Sequence, residues 1–172
     1  SQLGAISTGS ITTLQSDAAI TWTNASNAFG GPPFLDATGN VAVAATGAIL
    51  LGDVNMTGAT TLSVTATNGI SQSGGSMLQT GTGAVTLAGG SGTIVLGEAT
   101  NVFGSSMSLS GAGGALTGTV NGATGAAAAA FVTASNSNFT FNGVAAGTPA
   151  VVTTTTQTTQ QTLNEISSVA PI

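Results

Sequence analysis

The chain has 172 residues, of which 41% are hydrophobic and only 3% are charged, whereas about a quarter of residues are charged in an average globular protein. It contains no Lys, Arg, His or Cys, and its five acidic residues give a net charge of −5. The absence of cations argues against binding to nucleic acids or anionic membranes, and the absence of His and Cys removes the usual general base, thiol nucleophile, zinc ligands and disulfides.

The first nineteen residues carry scattered apolar side chains and are interpreted as an N-terminal rung or cap. These side chains are Leu3, Ile6, Ile11 and Leu14. The stretch Gly30-Gly31-Pro32-Pro33 follows the first clear strand. Because proline cannot donate a ladder hydrogen bond, this stretch predicts a bulged loop and no regular pairing there.

From residue 20 onward, pairs of apolar residues with one small residue between them recur at steps of 21, 21, 23 and 22 residues. The pairs are Ile20/Trp22, Val41/Val43, Leu62/Val64, Val85/Leu87 and Met107/Leu109. A second column contains Ala28 and Phe29, Ile49/Leu51, Ile70 and Ile94/Leu96, and a looser third contains Leu35, Val54/Met56, Met77 or Leu78, and Phe103. Each period therefore predicts up to three short strands with alternating inward and outward residues.

This register predicts an all-β fold, a right-handed parallel β-helix with about 21–23 residues per rung over residues 20–147. Gly and Asn recur between the apolar pairs, where their tolerance of positive φ allows the chain to turn corners. An antiparallel sandwich also has short strands and glycine turns, but it does not account for a register kept over five repeats. The ten paired residues are the predicted core stack.

After Val120 the pattern loosens. Gly125 to Phe131 is alanine-rich and is compatible with a helical turn or a tight strand. Phe139 and Phe141 resemble another inward pair of the first column, 32 residues after Met107 and Leu109, which implies an insertion of about ten residues. Residues 148–172 are rich in Thr and Gln, and three interpretations stay open: a linker or stalk, a cap over the core, or an arm that pairs with another subunit.

The acidic residues are Asp17, Asp36, Asp53, Glu98 and Glu165. Their spacing does not follow the rung, except that Glu98 falls near two rungs after Asp53. We interpret them as solvated corner residues, and not as the paired carboxylates of a glycosidase. Ser and Thr are abundant, but no His or Lys is present to activate one as a nucleophile. The sequence therefore predicts no enzyme, with no catalytic, cofactor-binding or metal-binding residues.

The stretch from Gly52 to Gly111 resembles the repeats of filamentous haemagglutinin-like exoproteins, which are secreted by the two-partner route. The phrases that carry the resemblance are LSVTATNGISQSGG, GAVTLAGGSGTIVLG and NVFGSSMSLSG. The resemblance implies a right-handed β-helix with an extracellular, adhesive or filament-forming role, and it brings no catalytic residues. The family's N-terminal secretion domain is not evident, and the complete lack of Lys and Arg is extreme for such proteins.

Together these observations predict a structural segment of a secreted bacterial surface protein, located outside the cell, which forms a stiff rod, filament or adhesin shaft. Its expected partners are copies of itself, or a host or matrix surface. The alternative is a carbohydrate- or receptor-binding passenger segment of an adhesin, in which exposed Asn and Thr and the single Trp22 would make the contacts.

Overall fold

The computed structural model describes residues 2–135 and 139–146. They form a parallel β-solenoid of about six turns with roughly 21 residues per turn, which confirms the predicted fold class. The right-handed sense stays a prediction. The predicted tail, residues 148–172, lies outside the described residues.

Each turn contributes short strands of two to five residues. In chain order the elements are β1 (Ser7–Thr8), β2 (Thr12–Ser16), β3 (Ile20–Trp22), β4 (Ala28–Phe29), β5 (Pro33–Ala37), β6 (Val41–Ala45), β7 (Ile49–Leu51), β8 (Val54–Met56), β9 (Leu62–Ala66), β10 (Ile70–Gln72), β11 (Leu78–Gln79), β12 (Val85–Ala88), β13 (Ile94–Leu96), β14 (Val102–Phe103), β15 (Met107–Ser110), β16 (Gly114–Leu116), β17 (Thr119–Val120), α1 (Gly125–Ala129), β18 (Val132–Ser135), β19 (Phe139–Phe141) and β20 (Val144–Ala146).

Three six-stranded sheets run along the axis of the solenoid. The first sheet has the order β2-β5-β8-β11-β14-β17, the second β3-β6-β9-β12-β15-β18, and the third β7-β10-β13-β16-β19-β20. Every pair in the first two sheets is parallel, and in the third sheet only β19 and β20 are antiparallel. β1 and β4 form a separate parallel pair.

Alternation of side chains along each strand builds the core. In β6 the inward residues Val41, Val43 and Ala45 are buried and the residues between them are only partly covered. Strands β5 and β9 alternate in the same way. Because Val, Ile and Thr favour extended backbone, these strands stack directly on those of the previous turn.

The inward file of the third sheet contains one position that accepts only glycine. Ile49, Ile70 and Ile94 stack in register, and the next members are Gly114 and then Phe139. Gly114 has a φ of +151°, and a Cβ there would lie 1.7 Å from the carbonyl oxygen of Ile94. The file therefore loses one side chain at this turn, next to the large ring of Phe139.

The loop predicted over Gly30-Gly31-Pro32-Pro33 was wrong at Pro33, whereas residues 30–32 do lie between strands. Pro33 is the first residue of β5 and pairs with Thr12 in the parallel ladder. Its carbonyl oxygen still accepts a hydrogen bond from the Gly52 N–H at 3.0 Å. The first position of a strand tolerates proline because the missing N–H interrupts the ladder only at its end.

The prediction for Phe139 and Phe141 was right about their burial but wrong about their column. Both side chains are fully buried, but they pair with Gly114 and Leu116 in the third sheet. The rung above Met107 and Leu109 is instead β18, which begins at Val132. The alanine-rich stretch before β18 contains the helical turn α1, with Ala128 and Ala129 buried.

The structure decides between Met77 and Leu78, the two alternatives for one position of the third predicted column. Leu78 pairs with Val54 and is fully buried, whereas Met77 is 38% exposed.

None of the helical residues described here forms a segment long and apolar enough to cross a membrane.

Candidate functional site

The ten residues of the predicted core stack lie in two vertical files of the second sheet. The first file is Ile20, Val41, Leu62, Val85 and Met107, continued by Val132, and the second is Trp22, Val43, Val64, Leu87 and Leu109, continued by Ala134. Nine of the ten are buried, and Trp22 is partly exposed. The nine buried residues belong to the hydrophobic core of the solenoid, and Trp22 packs against it.

Trp22 is the member of the stack that solvent can reach. Its ring stacks on that of Phe29, with 6.3 Å between centroids and 3° between planes, an offset arrangement that aromatic pairs favour. It lies in β3, the first strand of the second sheet, and lines an open groove at this end of the solenoid. The other lining residues are Leu14, Gln15, Ser16, Ala19, Ile20 and Thr21.

A pair of side-chain amides bridges the third and first sheets in the middle of the molecule. The Gln72 Nε2 donates to Asn101 Oδ1 at 2.7 Å, and the Asn101 Nδ2 donates to Gln72 Oε1 at 2.8 Å. Asn101 Oδ1 also accepts the Leu78 N–H at 2.9 Å, and Gln72 Nε2 donates to the Ser76 carbonyl at 2.9 Å. Asn101 is 1% exposed, so these bonds satisfy polar groups that would otherwise be costly to bury.

The sequence analysis missed this bridge, although a signal was present. Gln72 is in register with Leu51 of β7, so a polar residue stands in an otherwise apolar inward file. A glutamine at such a position requires a partner. Its partner Asn101 is 29 residues later, more than one period away, so sequence spacing alone does not identify it.

The same chemistry recurs at the N-terminal end. Asn27 is fully buried, and its Nδ2 donates to the Trp22 and Ala44 carbonyl oxygens at 3.1 and 3.0 Å and to Gln2 Oε1 at 3.1 Å. Its Oδ1 accepts the Ile6 N–H at 2.9 Å and a bond from Gln2 Nε2. This second amide pair fastens the first described residues to the turn that contains β3 and β4.

The four acidic residues that the structure describes form no metal-binding group of three. Asp36 lies on the outward face of β5, not at a corner as predicted, and its carboxylate accepts bonds from Gln15 Nε2 at 3.2 Å and Asn55 Nδ2 at 3.1 Å. Asp53 accepts the Met77 N–H at 2.8 Å. Asp17 and Glu98 lie in connections between strands, and Glu165 lies outside the described residues. In the part of the chain described here, no three metal-ligating side chains come together.

The outward face of the second sheet has small, uncharged side chains. One file contains Thr21, Ala42, Ser63, Thr86, Ser108 and Thr133. The neighbouring file contains Ala44, Thr65, Ala88 and Ser110. The four described acidic residues lie outside these strands.

A family model called Repeats of unknown function (DUF5649) matches residues 1–34 and 38–110. The chain belongs to this family. Comparison with curated proteins and with solved structures gave no match. The matched residues include β1 to β4, the first two residues of β5, and β6 to β15, so the solenoid turns are the family's repeats. The family description assigns the repeats no function, and the resemblance to filamentous haemagglutinins receives no support from these comparisons.

Proposed function

We propose that this β-solenoid is a structural segment of a secreted bacterial surface protein, and that it acts as a stiff rod, filament or adhesin shaft. The observation that carries the proposal is the set of three hydrogen-bonded sheets that run through about six turns. The sequence resemblance of residues 52–111 to haemagglutinin-like repeats is the reason for proposing that the segment is secreted and lies at a bacterial surface.

Stiffness follows from the way in which each turn is held. Strands inside the sheets pair on both sides, as β9 does with β6 and β12. Stretching the molecule along its axis would break the ladder bonds of three sheets together and expose buried files such as Val43, Val64 and Leu87. Since adjacent strands are about 4.8 Å apart, the six turns span roughly 29 Å, which suits a module of a longer shaft or assembly.

The partners that fit this role are copies of the chain, or a host or matrix surface, and the location that fits is outside the cell. Outward residues of the second sheet are small and uncharged, so like surfaces can approach without repulsion between carboxylates. A chain without Lys and Arg also offers no cleavage site to trypsin-like proteases. A mechanical role requires no catalysis, and we propose that the segment is not an enzyme.

Electron microscopy of the full 172-residue chain over a range of concentrations tests the mechanical role. We expect rods that lengthen or associate as concentration increases. The variant Val64→Asp buries a charge in an inward file and should abolish the rods, whereas Ser63→Asp, on the outward side of the same strand, should keep the fold. Compact monomers at every concentration would contradict the proposal.

Location can be tested separately in the organism that produces the protein. Antibodies raised against the purified chain should label intact cells without permeabilisation. Labelling that requires permeabilised cells would rule out a surface role, whatever the microscopy of the purified chain gives.

A second candidate, carbohydrate binding, is favoured by the partly exposed Trp22 beside Gln15 and Ser16 in the N-terminal groove. An aromatic ring flanked by polar groups suits a sugar, whose apolar face can pack on the ring. Trp22 is the only tryptophan and there is no tyrosine, so its emission reports directly on this groove. Added glycans should change the emission, and Gln15→Ala should weaken that response more than the matched Gln79→Ala. No response on a broad glycan panel would exclude this candidate.

A further inference from the structure

The chain contains three Asn-Gly dipeptides, Asn68-Gly69, Asn121-Gly122 and Asn142-Gly143. In this dipeptide the glycine backbone nitrogen can attack the asparagine side-chain carbonyl, because glycine has no Cβ to obstruct the approach. The reaction requires a free glycine N–H and an asparagine amide that can rotate towards it. In the structure the three dipeptides differ in the hydrogen bonds of the glycine N–H and of the asparagine amide.

At Asn68-Gly69 the attacking nitrogen is already engaged. The Gly69 N–H donates to the Gly89 carbonyl at 2.8 Å, and the Asn68 N–H donates to the Gly47 carbonyl at 3.0 Å. Both bonds connect successive turns of the solenoid. The Gly69 bond has to open before its nitrogen can react.

At Asn142-Gly143 it is the asparagine amide that is held. Its Oδ1 accepts the Gly118 N–H at 3.1 Å, and its Nδ2 donates to the Gly118 carbonyl at 2.5 Å. The amide therefore cannot rotate towards the Gly143 nitrogen until two bonds have opened.

At Asn121-Gly122 neither restraint is present. Both residues are exposed, and their φ angles of 51° and 76° are those of a two-residue type I′ turn. The turn is closed by two bonds between the backbones of Val120 and Ala123, at 3.0 and 2.9 Å. Among the hydrogen bonds of the described residues, none uses the Asn121 side-chain amide or the Gly122 N–H.

We propose that Asn121 is the site at which this protein undergoes spontaneous deamidation. The Gly122 nitrogen bonds to Asn121 Cγ, the Cγ–Nδ2 bond breaks, and ammonia leaves with the proton from the glycine nitrogen. Water then opens the resulting succinimide at either carbonyl, which gives aspartate or isoaspartate. No oxidation or reduction takes place, and water is the only co-reactant.

The product changes the C-terminal end of the solenoid. A new carboxylate increases the net negative charge of a chain that has no Lys, Arg or His. Isoaspartate also adds one backbone atom to a turn that ends three residues before α1 and whose Asn121 N–H donates to the Phe103 carbonyl at 3.3 Å. We expect the turn between Val120 and Ala123 to lose its paired bonds.

The test is to incubate the full folded chain at mildly alkaline pH and to follow each Asn-Gly peptide by mass spectrometry after pepsin digestion, because trypsin has no sites. Asn121 should react fastest, with about fivefold slowing for each hydrogen bond that must open first at the other two sites. In denaturing urea the three rates should converge.

Two outcomes would overturn the proposal: equal rates at the three sites in the folded chain, or a faster reaction at Asn68 or Asn142. The variant Asn121→Ser should remove the fast product and leave the two slow ones unchanged. Labelling by an isoaspartyl methyltransferase gives a second readout, which should fall to the slow background in Asn121→Ser.

Discussion

The two ends of the solenoid terminate the same ladder in different ways. At the N-terminal end, β2 and β3 have no strand beyond them among the described residues, and the aromatic rings there, Trp22 and Phe29, are only partly buried. At the C-terminal end, β20 pairs antiparallel with β19, and α1 packs against β17, β19 and β20. Phe139 and Phe141 are fully buried beneath this cap.

The difference shows that the repeats do not seal themselves. A parallel turn always leaves unpaired backbone groups at its outer edge, and such an edge is a template for another chain. At the C-terminal end, β20 pairs with the last parallel strand of the third sheet, β19, and α1 packs against β20. The N-terminal end uses the side-chain amides of Asn27 and Gln2, which satisfy backbone groups. The first two sheets end without a further described strand at both ends, at β2 and β3 and at β17 and β18, so the two ends differ in their cover and not in these edges.

The largest expected effect comes from emptying the C-terminal cap. Phe141→Ala removes a fully buried ring that contacts Phe103, at 6.5 Å between centroids, and should lower the free energy of unfolding by about 3–5 kcal/mol. The matched variant Phe29→Ala removes a half-buried ring at the open end and should cost about 1–2 kcal/mol. Urea unfolding followed by far-UV circular dichroism measures both, and equal costs would contradict the distinction between the ends.

A smaller loss is expected when the central amide bridge is broken. Asn101→Ala leaves the Leu78 N–H and the Gln72 side chain without their partner, which should cost about 2–3 kcal/mol. In a chain that already carries Asn101→Ala, Gln72→Ala should lower the free energy of unfolding by less than it does in the unmodified chain, because the two residues act as a unit. Strict additivity in this double-mutant cycle would refute the bridge.

The two amide pairs should also be distinguishable by the fluorescence of Trp22. Asn27 donates to the Trp22 carbonyl, so Asn27→Ala should change the tryptophan emission of the folded protein. Asn101→Ala acts several turns away and should leave that emission unchanged. Emission that responds equally to both variants would mean that the two amide pairs are not independent.

The open end should unfold before the centre. In a solenoid each turn contacts only its neighbours, so a terminal turn with one neighbour has lower local stability. Tryptophan emission should therefore change at a lower urea concentration than far-UV circular dichroism. Coincident transitions would show that the six turns unfold as one cooperative unit.

The smallest effect is expected on the outward face of the first sheet near the open end. Asp36→Ala removes the acceptor for Gln15 and Asn55, but water can replace those bonds at a surface site. We expect a loss of about 0.5 kcal/mol, measured by urea unfolding beside the neutral control Ser63→Ala. A loss as large as that of Asn101→Ala would show that this surface file holds the turns together.

Sequence reasoning predicted the regular turns and failed where the regularity ends. The steps between Ile20, Val41, Leu62 and Val85 give the observed register because inward residues repeat every second position and each turn returns to the same sheet one strand further along the axis. Phe139 was assigned to the wrong file because the chain between Ser110 and Val132 includes α1 and a two-residue turn. The prediction for Pro33 was wrong because the sequence pattern does not show that β5 begins at this residue, and the first position of a strand tolerates proline.

By itself, the sequence determined the fold class, the length of a turn and which residues point inward, since these follow from local alternation repeated at a fixed period. The tertiary structure alone decided which polar groups meet, such as Gln72 with Asn101 and Asn27 with Gln2, and how each end is closed. Those contacts join residues more than one period apart, and their formation depends on the spatial arrangement of the corners, which local pattern does not encode.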